Sequence, residues 1–222
     1  MNSTLHITWL IILFLGASTS AFVDDKPKVI FAEKFSAPLD TGWSWLREEP
    51  KAWKVEDGAL HILALPGHLY AKYNDARNVL LRKVPESSKP LAIEVYMESR
   101  PKVIFEEAAM YWYYDDDNYI SVVKEHVGKE VNVRMFREKD GVPVSLLNKK
   151  YEAEGVWLRL VISAGKATGY YRQTDKDRWE KMGQADLPAK GEAKVGLNAA
   201  GGSKNTDRWA RFRDFRILEH AE

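Results

Sequence analysis

The chain has 222 residues, with Lys plus Arg at 33 against Asp plus Glu at 32, a formal net charge of +1 and no cysteine. That balance argues against nucleic acid or a strongly acidic polysaccharide as an obligate partner, because either would select a basic surface. Without cysteine there is neither a disulfide nor a lipobox, so a hydrophobic core has to hold the fold, and about 200 residues suffice for one.

Residues 7–15 (ITWLIILFL) form an apolar run of secretory-signal length, too short to span a bilayer comfortably, and small residues follow at 16–21. Cleavage near Ser20 or Ala21 is expected. This divides the chain into a signal peptide, 1–21, and one domain, 22–222, secreted or periplasmic and free of the membrane after cleavage. No Lys or Arg precedes the apolar run, with His6 the only candidate cation, so an uncleaved anchor is the alternative.

Residues 29–35 open the domain as a strand, and 38–50 read as a loop carrying Trp43, Trp45 and the charged run Arg47-Glu48-Glu49. Residues 53–56 and 59–63 flank Asp57-Gly58, a pair that favours the type I′ turn of a hairpin. Strands follow at 78–83 and 91–97. Residues 106–126 (EEAAMYWYYDDDNYISVVKEH) then place two runs of aromatic and β-branched residues around Asp115-Asp116-Asp117-Asn118, another hairpin pattern. Residues 130–138 alternate Val131, Val133, Met135 against Asn132, Arg134, Phe136, and stop at Asp140-Gly141. Residues 157–163 put Leu158, Leu160 and Ile162 on one face. Shorter strands at 167–174, 179–182 and 193–199 precede a Gly-Gly-Ser-Lys-Asn-Thr loop, and 209–218 closes the series. No stretch of helical length keeps a 3.6-residue period after the first segment. About a dozen short strands joined by turn formers predict an all-β, antiparallel two-sheet jelly-roll sandwich.

A four-residue turn at 115–118 would pair Tyr114 with Tyr119, Trp112 with Ser121, Ala108 with Glu125 and Glu107 with His126. In that register Glu107, Tyr111, Tyr113, Lys124 and His126 share one face, expected to be the one solvent reaches. Glu107 and Glu125 fall on opposite faces, which counts against them as a catalytic pair. Glu107 and His126 are then the one carboxylate–imidazole pair the spacing suggests, read as a cross-strand ion pair. The Asp-rich tetrapeptide offers oxygen ligands to calcium but reads as a solvated turn. His61, His68 and His126 lack ligand spacing, Gly-Gly-Ser-Lys lacks the helix of a phosphate loop, and no serine sits in a nucleophile elbow. No metal, cofactor or catalytic residue is assigned.

Several pieces carry a resemblance by their order: Trp43-Ser44-Trp45-Leu46-Arg47, Asn78-Val79-Leu80-Leu81-Arg82, Glu107-Ala108-Ala109-Met110-Tyr111 leading to Asp117-Asn118-Tyr119, Val156-Trp157-Leu158-Arg159-Leu160, Gly169-Tyr170-Tyr171-Arg172 with Trp179, and residues 210–217. In that order they resemble the concanavalin A-like lectin/glucanase superfamily, and within it the C-terminal β-sandwich of bacterial beta-xylosidases and related secreted domains of unknown function. The resemblance covers nearly all of residues 22–222 and implies a glycan, poly- or oligosaccharide, as partner. It brings no catalytic residues, since these 222 residues hold neither the propeller of beta-xylosidases nor the Glu-x-Asp-x-x-Glu strand of jelly-roll glucanases. The expected function is a non-catalytic carbohydrate-binding module. Its concave face would be lined by Tyr111, Trp112, Tyr113 and Tyr119 and edged by Glu107, Arg82 and His126, aromatics to stack on sugar and polar groups to hold hydroxyls. Trp43 and Trp45 are assigned to core packing ahead of sugar stacking. The alternatives are a glycoside hydrolase or polysaccharide lyase on the same fold, with Glu107 and Glu125 as first suspects for hydrolysis, and an envelope or adhesion module with no ligand.

Overall fold

The computed structural model describes residues 27–219, so the expected signal segment lies outside the described residues. Period-two alternation and turn formers build β1 (Lys28–Glu33), β2 (Trp43–Leu46), β3 (Trp53–Glu56) and β4 (Ala59–Leu63). A miniature hairpin, β5 (Leu69–Tyr70) and β6 (Tyr73–Asn74), precedes β7 (Val79–Lys83) and β8 (Leu91–Glu98). A meander follows: β9 (Glu107–Asp115), β10 (Asn118–Val127), β11 (Glu130–Lys139) and β12 (Val142–Lys150). The remaining strands are β13 (Gly155–Ser163), β14 (Lys166–Arg172), β15 (Glu180–Asp186), β16 (Lys194–Ala200) and β17 (Trp209–Glu219).

One sheet has the order β15-β14-β13-β8-β17-β4-β3, with β1 added along β17; the other runs β12-β11-β10-β9-β16-β7-β2. All pairings between these strands are antiparallel, as expected for the two-sheet sandwich. The main core lies between the sheets, where Ile93, Val95 and Met97 of β8 meet Met110, Trp112, Ile120 and Val122 of β9 and β10. On the outer side of β8, Glu94 is fully buried because Arg159 and Arg216 both clasp its carboxylate.

Three local expectations change. Residues 43–46, read as part of a loop, are the edge strand β2. Trp43 packs edge-on against Phe215 at 5.2 Å and Trp45 lies 4.7 Å from Trp53, so both indoles pack against the core. Arg82 does not edge the concave face: its guanidinium sits 3.6 Å above the Phe31 ring and donates to the Thr41 carbonyl at 2.7 Å.

The third change is one of register. The turn of the central hairpin is Asp116-Asp117, with Asp115 opposite Asn118, and a bulge follows immediately. Tyr119 pairs with Tyr113, not Tyr114, and every later partner moves by one: Ile120 with Trp112, Ser121 with Tyr111, Lys124 with Ala108, Glu125 with Glu107. A slip of one residue carries a whole arm to the other face. The β10 arm therefore turns over relative to the expected register while the β9 arm stays put.

Candidate functional site

The bulge puts Glu107, Tyr111, Tyr113, Tyr119, Ser121 and Glu125 on the side of their sheet away from the inter-sheet core, and turns Trp112, Ile120, Val122 and Lys124 inward. From β11, Arg134 and Phe136 join that outer side, while Val133 and Met135 enter the core. Two segments then cross over this floor.

The first is the β5–β6 hairpin, seated by polar contacts with the floor. The Tyr119 hydroxyl donates to the Leu69 carbonyl at 2.6 Å and lies 2.9 Å from the Glu138 carboxyl, which also accepts the Ala71 amide at 3.0 Å. Asn74 donates to Asp117 at 2.7 Å. Arg47 reaches Asp116 with two donors, at 2.7 and 3.1 Å, and the Tyr113 hydroxyl donates to the same carboxylate. The Asp-rich turn thus engages protein donors on all three carboxylates, Asp115 taking the amide of Asp117. The second segment is the loop ending at Phe105. Buried Glu106 fixes it by accepting the amides of Lys102 and Val103 at 2.7 and 3.0 Å, and by binding Arg208.

Between hairpin and loop remains a cavity of about 550 Å³, inside the range of small-molecule sites, about 300–1,000 Å³. Its floor is polar: Glu107, Ser121, Glu125 and Arg134, with the nearly buried rings of Tyr111 and Tyr119 packed edge to face at 5.5 Å. Its rim is aromatic and exposed, with Tyr70 at 44%, Tyr73 at 54% and Phe105 at 51% of full accessibility. Phe136 links the two, lying 4.2 Å from the Arg134 guanidinium and 5.7 Å from Tyr70. A larger hollow of about 820 Å³ lies at the end of β14, where Lys149 and Glu180 are spent on each other at 2.6 Å.

The electrostatics of the floor are unequal. Arg134 donates to Glu125 at 2.5 Å, and both side chains are shielded from solvent. Burial raises the Glu125 carboxyl above its ordinary value, against the pull of Arg134. Among the described residues, Glu107 has only the Tyr111 hydroxyl as a side-chain donor, at 3.3 Å. Burial, and then the charge of Glu125, push Glu107 up to about 8. Burial also lifts Tyr111 and Tyr119 well above the usual phenol range and lowers His68 on the cavity wall.

Of the residues expected at a binding face, Glu107, Tyr111 and Tyr119 line this cavity. Tyr113 shares their side of the sheet, but its hydroxyl donates to Asp116 and its ring lies in the cluster beneath the hairpin. Trp112 belongs to the inter-sheet core, where its indole N–H donates to the Tyr114 hydroxyl at 3.1 Å. His126 is no partner of Glu107. It sits opposite Val131, and its peptide group ties residues 105 and 106 to β10.

Residues 32–218 match the family model described as Beta xylosidase C-terminal Concanavalin A-like domain. The chain belongs to this family. No curated protein is similar enough to serve as a relative of this concanavalin A-like domain. Among solved structures it is similar to the GH43 BlXynB protein from Bacillus licheniformis, with a TM-score of 0.75, 20% identity, 85% of this chain covered and 39% of that one. It is also similar to xylan beta-1,4-xylosidase from Bacillus halodurans C-125, with a TM-score of 0.72, 23% identity, and 88% and 41% of the two chains covered. A functionally unknown protein from Saccharomyces cerevisiae matches over 98% of its own length and 82% of this chain, with a TM-score of 0.65 and 14% identity. The xylosidase-type domain thus spans about two fifths of the length of the enzymes it resembles, and at these identities the likeness is one of fold.

Sequence reasoning missed the rim of the cavity and part of its floor: His68, Tyr70, Tyr73, Phe105, Arg134 and Phe136. Besides the alternation that sets Arg134 and Phe136 on one face of β11, the legible trace is Gly201-Gly202. A Cβ on Gly201, which sits at φ +71°, would fall 2.1 Å from the Phe105 carbonyl oxygen, and one on Gly202 would fall 1.8 Å from that of Ala64. Only glycine lets this loop close against the cavity wall. Gly202→Ala is expected to cost about 1–3 kcal/mol in urea unfolding, the range for forced overpacking.

Proposed function

We propose that this domain binds the end of a neutral glycan chain in its concave cavity, as a non-catalytic module acting outside the cytoplasm. One observation carries the reading: a cavity with a polar floor of Glu107, Glu125, Arg134 and Ser121 beneath an exposed aromatic rim of Tyr70, Tyr73 and Phe105. Aromatic faces stack on the apolar face of a sugar, and convergent polar groups fix its hydroxyls. Walls at the β5–β6 hairpin and at Phe105 favour a chain end over the middle of a polymer. The GH43 enzymes among its structural neighbours support carbohydrate as the ligand class, so xylo- and cello-oligosaccharides are the first probes. Secretion rests on the apolar run at 7–15, and N-terminal sequencing of exported protein tests it.

Titration calorimetry with these oligosaccharides should detect binding that weakens about tenfold, ~1.4 kcal/mol, in each of Tyr70→Ala and Phe105→Ala. Full affinity in both variants would overturn the reading.

The side-by-side position of Glu107 and Glu125 favours a second reading, glycoside hydrolysis. Glu107 would protonate the leaving oxygen and ionised Glu125 would act as nucleophile or base. Reducing-sugar release from the same oligosaccharides, abolished in Glu125→Gln, would replace binding by turnover.

A further inference from the structure

Resting on the glycan reading above, we propose that Glu107 and Glu125 hold one proton between them and act as a donor–acceptor pair that reads two neighbouring hydroxyls of an uncharged sugar. The geometry comes first. The two residues are direct cross-strand partners on one face, in a register fixed by the bulge at Tyr114. Opposed residues of an antiparallel pair have Cβ atoms about 4.5–5.5 Å apart, where two like charges oppose each other. One cation serves the pair, and it is committed: Arg134 is bonded to Glu125 at 2.5 Å and packed on Phe136. The remaining contact to Glu107 is a neutral phenol, Tyr111.

Among the described residues, the other titratable groups around Glu107 are negative, neutral or paired elsewhere. Glu138 lies beyond Tyr119 and adds negative charge to the floor. Burial holds Tyr111 and Tyr119 towards their neutral forms. His68, on the wall above, is held towards its neutral form by burial. Tyr70 and Tyr73 stand at the rim. Beneath the sheet Lys124 donates to three backbone carbonyls, and beside Glu107 the charge of Arg208 is paired with Glu106, whose two oxygens both accept from its Nε.

A protonated Glu107 beside an ionised Glu125 offers one O–H donor and one acceptor a few ångströms apart. Vicinal hydroxyls match that pair, one accepting and the other donating. A uronic acid would set a third carboxylate beside Glu125 and Glu138, where the one Lys or Arg among the described lining residues, Arg134, is already paired with Glu125. The carboxyl pair therefore sets specificity for uncharged sugars.

Two measurements test this. Carbon-detected NMR titration of the glutamate carboxyls should show one midpoint near 8, absent in Glu107→Gln. Calorimetry with xylo- or cello-oligosaccharide should show wild-type affinity falling at least tenfold between pH 6 and pH 9, whereas the ratio for Glu107→Gln stays near one whatever its absolute affinity. Lys124 is present in both proteins, so its own titration cancels. Oligogalacturonate should bind at least tenfold more weakly than the neutral probes at pH 6. Ordinary carboxylate midpoints, with binding indifferent to pH, would overturn the shared proton and leave the glycan reading standing. A midpoint near 8 with no neutral oligosaccharide bound at any pH would overturn both the glycan reading and the assignment of the pair to sugar hydroxyls.

Discussion

Arg134→Met is expected to lose about 3–5 kcal/mol of stability at pH 7, the range for removing one partner of a buried ion pair. The side chains of Arg134 and Glu125 retain 14% and 7% of their accessibility, so water cannot take the place of the guanidinium. Methionine keeps the apolar stem over Phe136, so the loss reports charge more than volume. For a chain of this size each kcal/mol moves Tm by about 2–4 °C, giving a drop of roughly 10 °C. The deficit should shrink towards pH 5. Burial already raises the folded-state value of Glu125, and removing Arg134 raises it further. The folded variant then binds more protons than the unfolded chain between the two values, so its stability is greatest at low pH and declines as pH rises through the folded-state value. Adding Glu125→Gln should restore most of the loss at pH 7, because a buried pair replaced as a whole is nearly neutral. A double variant no more stable than Arg134→Met would mean that Arg134 acts through packing alone.

How much of this was legible follows from what each segment shows to a reader of sequence. Leu158, Leu160 and Ile162 share one face of β13 as their period of two predicts, the two leucines fully buried and Ile162 partly. The β11 partition is equally plain, with Val133 and Met135 inward and Arg134 and Phe136 on the cavity side. Which elements would roof that side was not readable. The β5–β6 hairpin consists of two-residue strands, too short to carry a period. Strand β12 is an edge with no buried position and a proline, so residues 142–150 show no alternation. The site itself turned on one residue. Tyr114 is the extra residue of the bulge, and nothing in the aromatic run distinguishes a four-residue turn from a two-residue turn with a bulge. That choice decides whether Glu107 faces His126 or Glu125. It also decides where the aromatics go, because Tyr113 and Tyr119 end up buried beneath the hairpin while Tyr70, Tyr73 and Phe105 stay exposed.

The turned-over β10 arm has a second consequence, at Lys124. Its side chain points into the sandwich, and its ammonium donates to the carbonyls of Ser99, Ala153 and Glu154 at 2.6, 2.6 and 2.7 Å. Lys124→Met is expected to cost about 3–5 kcal/mol, since three buried acceptors lose their donor at about 1–3 kcal/mol each, with relaxation recovering part of the sum. Ser99 begins the segment that leads to Phe105, so damage at Lys124 should reach the cavity. Amide exchange across residues 100–106 should quicken, and oligosaccharide affinity should fall even though Lys124 does not line the site. The pH dependence carries a separate signature. Desolvation lowers Lys124 from 10.5 to about 8. Between those values the unfolded chain binds the extra proton, so the contribution of Lys124 to stability rises with pH across that window. The stability difference between wild type and Lys124→Met should therefore widen from pH 8 to pH 10. A flat difference, or a loss under about 1 kcal/mol, would show the three carbonyls satisfied by water and the wall of the cavity independent of this lysine.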